Sequence, residues 1–449
     1  MESRQPPVDQ GVCTVVTRIT VGHETALRAV LETIAATLPP NPPGAGGGAI
    51  PFEQLATVHF ARWVTLPQAL DADGDTIPSE LVMATAYDGP LDRHLAELVT
   101  VARAGLDAIY AHCDGYPDGA ARTNAAVTTY LKRHASAPAA FFVSTRWRTL
   151  GQVRTESALR TALEAALDAS GSGEPTDGMG PVLHRRLREV VERTDELRWA
   201  LDPPPAPTLA WWVRHYALLA AIVVGLIVLL PVLLPIALVG LVLLRRAERQ
   251  DAIDEAAVGG GTGFADVGDE IRHLKSLTRF EDFLVQNQMT LVSNVKPGHL
   301  RRAVLKAVVL YARFRTAYVD TKGTLVGIPS IHFAHWTIID GGRRLLFVSN
   351  YDGTWESYLG DFIDRAAGGL TAVWSNTRGF PRTRFLALDG ARDEQRFKAW
   401  VRAQQVPTDV WYAAYPSLSV QNVNDATAIR SGLSSRLGGS ALATWLKRL

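Results

Sequence analysis

The sequence His59-Phe60-Ala61-Arg62-Trp63 returns far downstream as His332-Phe333-Ala334-His335-Trp336, and the recurrence decides how the rest is read. The two pentapeptides lie 273 residues apart. Tyr87-Asp88-Gly89 returns as Tyr351-Asp352-Gly353, and Gly115-Tyr116-Pro117 as Gly379-Phe380-Pro381, each 264 residues on. Phe141-Phe142 and Leu159-Arg160 match Trp411-Tyr412 and Ile429-Arg430 at a separation of 270. Near-constant separations of this size read as an internal duplication. They exceed the period of any solenoid, so each copy is expected to be a domain.

Between the copies runs a long apolar stretch. Residues 216–244 contain no charge and are mostly Leu, Val, Ile and Ala. This passes the roughly 18-residue threshold for a membrane helix. Trp211, Trp212 and Tyr216 stand at its entrance, as interfacial anchors do. Two arrangements compete. A hairpin would break at Pro231 and Pro235, with both ends in the cytoplasm, because Arg214 and His215 precede the run and Arg245, Arg246 and Arg249 follow it. A single span would separate the copies. Packing of the copies on each other favours the hairpin, while pairing between chains would permit the single span.

These features give an expected division into a first repeat (1–184), a charged amphipathic helix and Pro linker (185–208), the membrane segment (209–250), a Gly-rich tether (251–270) and a second repeat (271–449).

The bulk composition excludes several classes. Lys and Arg number 46 against 45 Asp and Glu, so no global basic field invites nucleic acid. The two cysteines, Cys13 and Cys113, form neither a disulfide framework nor a zinc spacing and read as buried small hydrophobes. The polar, Pro-containing start is not a secretory signal. The soluble parts are therefore expected in the cytoplasm, held at a membrane.

Within the first copy, residues 13–21, 57–66 and 80–87 read as strands, and 24–38 and 90–103 as helices. Residues 105–112 read as a fourth strand. A Pro/Gly loop covers 39–51, and Gly44–Gly48 within it is no dinucleotide fingerprint. Further on, 126–134 reads as a helix and 139–145 as a strand. The second copy repeats the plan, with 289–295, 330–339, 344–350 and 369–375 as strands and 299–314 and 354–365 as helices. Residues 189–201 read as an amphipathic helix and 259–263 as a tether. The order βαββαβ is that of a ferredoxin-like unit.

Each such sheet needs a partner for its uncovered face. The expected fold is therefore α+β, two fused ferredoxin-like repeats forming a pseudo-dimeric α/β barrel with an inserted membrane segment. This architecture resembles the dimeric α/β-barrel superfamily, which includes the haem-binding dye-decolourising peroxidases and chlorite dismutases. A second resemblance rests on Val285-Gln286-Asn287-Gln288, Val295-Lys296-Pro297-Gly298, the stretch 331–336, Ser349-Asn350-Tyr351-Asp352-Gly353 and Val410-Trp411-Tyr412. It points to an uncharacterised bacterial family and brings no reaction with it.

The barrel resemblance implies a haem-dependent, peroxidase-like oxidoreductase acting on an apolar or lipid-like substrate. Its candidate residues are His332, His59, His335 and Arg62 for catalysis, and His332, Asp352 and Asn350 for the cofactor, with haem iron on His332. Period 2 places His332, Ala334 and Trp336 on one face, and Phe333 and His335 on the other. The plainer reading makes both histidines packing residues, Arg62 and His335 strand-end residues, and the Asp-Gly pairs caps for the helices that follow them. Asn350 and Gln286 to Gln288 then satisfy backbone groups at strand ends. Glu356, Asp361 and Asp364 form a solvated helix face. The catalytic Asp of dye-decolourising peroxidases does not carry over, because Asp352 follows Asn350-Tyr351 and lacks their upstream Gly. No P-loop, nucleophile elbow or zinc-protease pattern is present. The competing function is a non-catalytic membrane module that binds lipid, a small molecule or a protein.

Overall fold

The structure, a computed structural model, describes residues 7–38, 49–169, 180–258, 267–278, 281–435 and 437–449. The expected tether at 259–263 lies outside them, as does the 39–51 loop up to residue 48. The chain is a mixed α/β protein with antiparallel sheets. In order, its elements are β1 (Gln10–Arg18), α1 (Glu24–Ala35), β2 (Val58–Leu66), β3 (Glu80–Asp88), α2 (Leu91–Val101), α3 (Arg103–Tyr110), α4 (Asn124–His134), β4 (Ala135–Ser136), β5 (Ala140–Val143) and α5 (Leu150–Asp168). Then come α6 (Gly180–Arg193), α7 (Leu209–Val258), α8 (Val267–Thr278), β6 (Gln286–Asn294), α9 (His299–Tyr318), β7 (Ile331–Ile339), β8 (Arg344–Asp352), α10 (Trp355–Trp374), α11 (Glu394–Gln404), β9 (Val410–Ala413), α12 (Val420–Leu433) and α13 (Gly439–Leu446).

Two sheets carry the fold. Their strand orders are β9-β2-β3-β1-β4 and β5-β7-β8-β6. Each sheet takes one edge strand from the other half of the chain. Val410 of β9 lies opposite Trp63 and Ala413 opposite Phe60. In return, Ala140 of β5 lies opposite Trp336 and Val143 opposite Phe333. The registers correspond, since Trp63 and Trp336 close the two related pentapeptides. The halves thus pair within one chain. At one seam β4 pairs with β1 just before β5 crosses to β7. At the other, Gln405 bridges Leu291 of β6 just before β9 crosses to β2. Among the described residues no sheet closes on itself.

Strand alternation divides the apolar residues between layers. Cys13 and Val15 of β1 and Trp63 of β2 face helices α1 to α4, whereas Val12 and Phe60 face the opposite sheet. Trp336, Phe347 and Leu345 face α9 and α10. Val64, Val82, Leu346 and Val348 fill the rest of the inter-sheet layer. Each fully buried Leu, Val or Phe contributes about 1.5–3 kcal/mol. Both cysteines are free and buried.

Three expectations change. The strands expected at 105–112 and 369–375 are helical, in α3 and α10. Leu106, Ile109 and Tyr110, like Leu370, Val373 and Trp374, are buried at helical spacing. Apolar runs this short do not separate strand from helix by pattern alone. The amphipathic helix expected at 189–201 starts earlier, as α6, and ends in a 3-10 turn over Asp195–Leu201.

The third change concerns the apolar segment. No hairpin break occurs, because α7 runs unbroken through Pro231 and Pro235. The stretch between the prolines, Val-Leu-Leu, carries no turn residue. A continuous helix also leaves fewer backbone groups bare than a broken one. The segment is long and apolar enough to cross a membrane, with mean hydropathy 3.1 and 0% of it buried.

Both ends of α7 are nevertheless tied to the same body. Trp211 packs edge-on against Trp147 (5.2 Å), and His215 against Tyr318 at the end of α9 (4.6 Å). At the far end Glu248 accepts from the Phe385 and Leu386 N–H groups (3.0 Å each), and Asp251 accepts from Lys296 (2.8 Å) and from Arg301 at the start of α9. A straight helix would set His215 and Asp251 about 54 Å apart, whereas Arg301 and Tyr318 are about 26 Å apart along α9. Side-chain reach at the two contacts adds on the order of 20 Å. So α7 is bowed. Its prolines sit midway and four residues apart, on one side of the helix, so their kinks add.

Candidate functional site

The related histidines meet between the sheets. Period 2 fails at both, for the same reason. The β2–β3 register slips between Val58 and Phe60, leaving His59 as an extra residue. The β7–β8 register slips at the matching place and leaves His332 extra. A β-bulge of this kind re-aims its side chain. His332 therefore points with Phe333 into the inter-sheet layer, not with Ala334 and Trp336 toward the helices. His332 lies 5.6 Å from the Phe60 ring and 5.8 Å from Tyr415, and His59 lies 5.2 Å from Phe333 and 5.7 Å from Tyr415.

Each histidine forms a dyad with the aspartate of its own copy. His59 Nε2–H donates to Asp88 Oδ1 (2.9 Å), and His332 Nε2–H to Asp352 Oδ1 (2.7 Å). The second carboxylate oxygens accept the first N–H of a distant helix, Leu150 for Asp88 and Val420 for Asp352, both at 2.7 Å. The aspartates therefore do not cap α2 and α10, which follow them. They cap α5 and α12, the helices that follow the exchanged strands. A carboxylate there also meets the positive end of the helix dipole. Each dyad thus ties a bulge to an exchange.

The copies differ at the remaining nitrogen. The Tyr415 hydroxyl donates to His59 Nδ1 at 3.0 Å. The 270-residue separation puts Thr145 at the corresponding place in the first copy. Threonine is shorter, and His332 Nδ1 is left buried without a hydrogen-bond partner.

Arg62 and His335, the other mismatched pair, are struts between sheets. Arg62 leaves β2 and donates to five oxygens of the opposite sheet and its rim: Gln288 Oε1 (3.0 Å), Met289 O (2.9 Å), Thr290 Oγ1 (3.0 Å), Ser349 O (2.9 Å) and Asn350 Oδ1 (2.5 Å). None is a carboxylate. Burial pushes its guanidinium down to about 9. His335 reaches back from β7 to Thr14 Oγ1 of β1 (3.0 Å). Burial, helped by the Arg62 charge, pushes it down to about 3, so it is neutral at physiological pH. Asn350, expected at a cofactor, instead accepts from Arg62 and from Trp411 Nε1 (3.1 Å). Gln286 donates to Tyr415 O (3.0 Å) and Asn287 to Gly353 O (2.8 Å), satisfying backbone groups as expected.

Two contributors were missed in the sequence. Tyr415 was visible only by extending the 411–412 match a few residues. Glu80 and Arg344 stand at equivalent positions, 264 residues apart, and pair directly, with Asp340 on the same guanidinium. Burial and Asp340 push the Glu80 carboxyl up to about 7, against Arg344.

A haem would need a free imidazole nitrogen facing a flat cavity. Here His332 Nε2 is bound to Asp352, and its other nitrogen faces packed rings. Phe60, Phe333 and Tyr415 stand edge to edge, and Phe141 stacks on Phe333 at 6.2 Å. His332 itself is 1% exposed. These residues do not fit a haem. A cleft of about 340 Å³ lies elsewhere, at the β1–β4 seam, lined by Arg18, Glu80, Arg133, His134 and Asp340. No protein-family model, curated protein or solved structure matches the chain.

Proposed function

We propose that the chain is a non-catalytic, membrane-associated binding module with its soluble body at the cytoplasmic leaflet. In this reading two fused, duplicated ferredoxin-like units form a pseudo-dimeric α/β barrel. Crossed edge strands and bulged histidines at equivalent positions support that architecture. The carrying observation is α7, whose apolar middle touches nothing while both its ends are bonded to one body. Exposed side chains such as Val224, Leu230 and Leu238 (58%, 55% and 56%) would be costly in water and favourable in acyl chains. A helix fixed at both ends to one body enters the bilayer from one side and leaves on that side. Arginines at both flanks agree with a cytoplasmic address for both. The interior polar groups support a structural role, because each candidate catalytic side chain is engaged in holding sheets or helices together.

Vesicle flotation tests the reading. The intact chain should float with liposomes and resist extraction by high salt. A variant with Leu226, Val228, Leu230, Leu234 and Leu238 changed to Ser should stay in the soluble fraction with the body folded. Peptide tags at both termini should be protease-accessible from the same side. Tags on opposite sides would overturn the proposal.

A further inference from the structure

Helix α9 joins the two feet of the α7 arch, and its sequence is unusual for a solvent-facing helix. It contains five Lys or Arg and no Asp or Glu. Its inner face, with Arg301, Leu305, Val309 and Thr316, is buried. Arg301, Arg302 and Arg315 are spent on Asp251, Asp73 and Asp320. Three cationic or titratable side chains remain exposed, His299, Lys306 and Arg313. They are spaced seven residues apart and so form one column along the helix.

Beside that column runs an apolar strip of Leu310 and Tyr311, 64% and 60% exposed, with Phe314. The strip continues into the Phe314–Tyr318 pair, on which His215 of α7 packs. Neighbouring apolar and cationic stripes on one exposed helix are the pattern of a helix lying in a membrane interface. A helix facing water alone would carry acids among its bases and few exposed large apolar groups. The ends of α9 are bonded to the points where α7 leaves and rejoins the body, so α9 lies at the depth where the bilayer begins.

We propose that α9 lies flat on an anionic bilayer at the foot of the arch, with Lys306 and Arg313 on lipid headgroups and Leu310 and Tyr311 at the acyl boundary. This rests on the membrane reading above and adds a lipid preference to it. The arch supplies attachment, and α9 makes attachment sensitive to anionic lipid.

The test uses the intact chain in phosphatidylcholine vesicles with and without phosphatidylglycerol. An environment-sensitive fluorophore is placed at Leu310→Cys and, as a control, at Val21→Cys, since Val21 is 92% exposed far from α7 in sequence. Expected is a blue shift and quenching by lipid-borne quenchers at 310 but not at 21, stronger with phosphatidylglycerol. Lys306→Gln with Arg313→Gln should move the docked-to-lifted equilibrium about 30-fold toward lifted. Vesicle-bound protein whose 310 probe stays in water, or is shielded by bound protein and not by lipid, overturns the role of α9 alone. Protein that does not float at all overturns the membrane reading with it.

Discussion

Removing Arg62 is the sharpest test of how the two sheets are held. Two effects oppose each other in Arg62→Met. Methionine relieves the burial of a cation that has no carboxylate partner, and replacing buried charges by apolar groups is sometimes stabilising. Against this, five oxygens lose a donor. Gln288 Oε1 keeps Thr408 (2.8 Å) and Asn350 Oδ1 keeps Trp411 (3.1 Å). Met289 O, Thr290 Oγ1 and Ser349 O lose a charged donor in the interior, at about 1–3 kcal/mol each. The loss should win, by roughly 3–5 kcal/mol, the usual cost of leaving buried partners uncompensated. With a urea slope of about 2–3 kcal/mol/M, the midpoint should fall by about 1–2 M. The assay is urea unfolding in mild detergent, followed by tryptophan fluorescence, since Trp63, Trp336 and Trp411 all lie at the exchanged edges. A midpoint equal to or above that of the parent chain would refute the reasoning and make the cation a passenger.

Other expectations follow from the same layer. Tyr415→Phe strands His59 Nδ1 as His332 Nδ1 already is, and should cost about 1–3 kcal/mol, whereas the same hydroxyl deletion at Tyr311, an exposed residue, should cost almost nothing by thermal unfolding. Asp88→Asn and Asp352→Asn should destabilise by similar amounts, about 1.5–3 kcal/mol each, because their partners match one for one; a large inequality would break the equivalence of the dyads. His335 is held neutral in the fold at about 3 but takes a proton at about 6.5 when unfolded. The unfolded state therefore binds more protons between these values, and stability should fall as pH drops below about 6.5. Glu80, pushed up to about 7, acts in the opposite sense, so the comparison belongs in a Glu80→Gln background, where His335→Gln should flatten the acid limb.

Much of this was legible in the sequence, for stated reasons. Alternating β-branched and aromatic residues gave the strands at 58–66 and 331–339. An uncharged run gave α7. What escaped was whatever depends on a single residue or on a distant partner. A bulge adds one residue and shifts no pattern that period counting detects, so His332 was assigned to the wrong face. The exchanged strands Ala140–Val143 and Val410–Ala413 were recognised as strands, but each would fit either sheet, since both sheets offer the same edge. The path of α7 was misread because its prolines suggested a break, where the fold uses them to bend.

The exchange also sets an order of events during synthesis. The first sheet has β2 at its edge by residue 66, and the strand that covers this edge ends at residue 413. At about 5–20 residues per second the ribosome needs roughly 20–70 seconds to make the intervening chain. Throughout that time the edge is open to pairing with another chain, the hazard native sheets are built to avoid. The apolar segment emerges within the same interval. Insertion into the bilayer therefore precedes completion of the body, and the nascent chain is fastened to its membrane before its first sheet is finished.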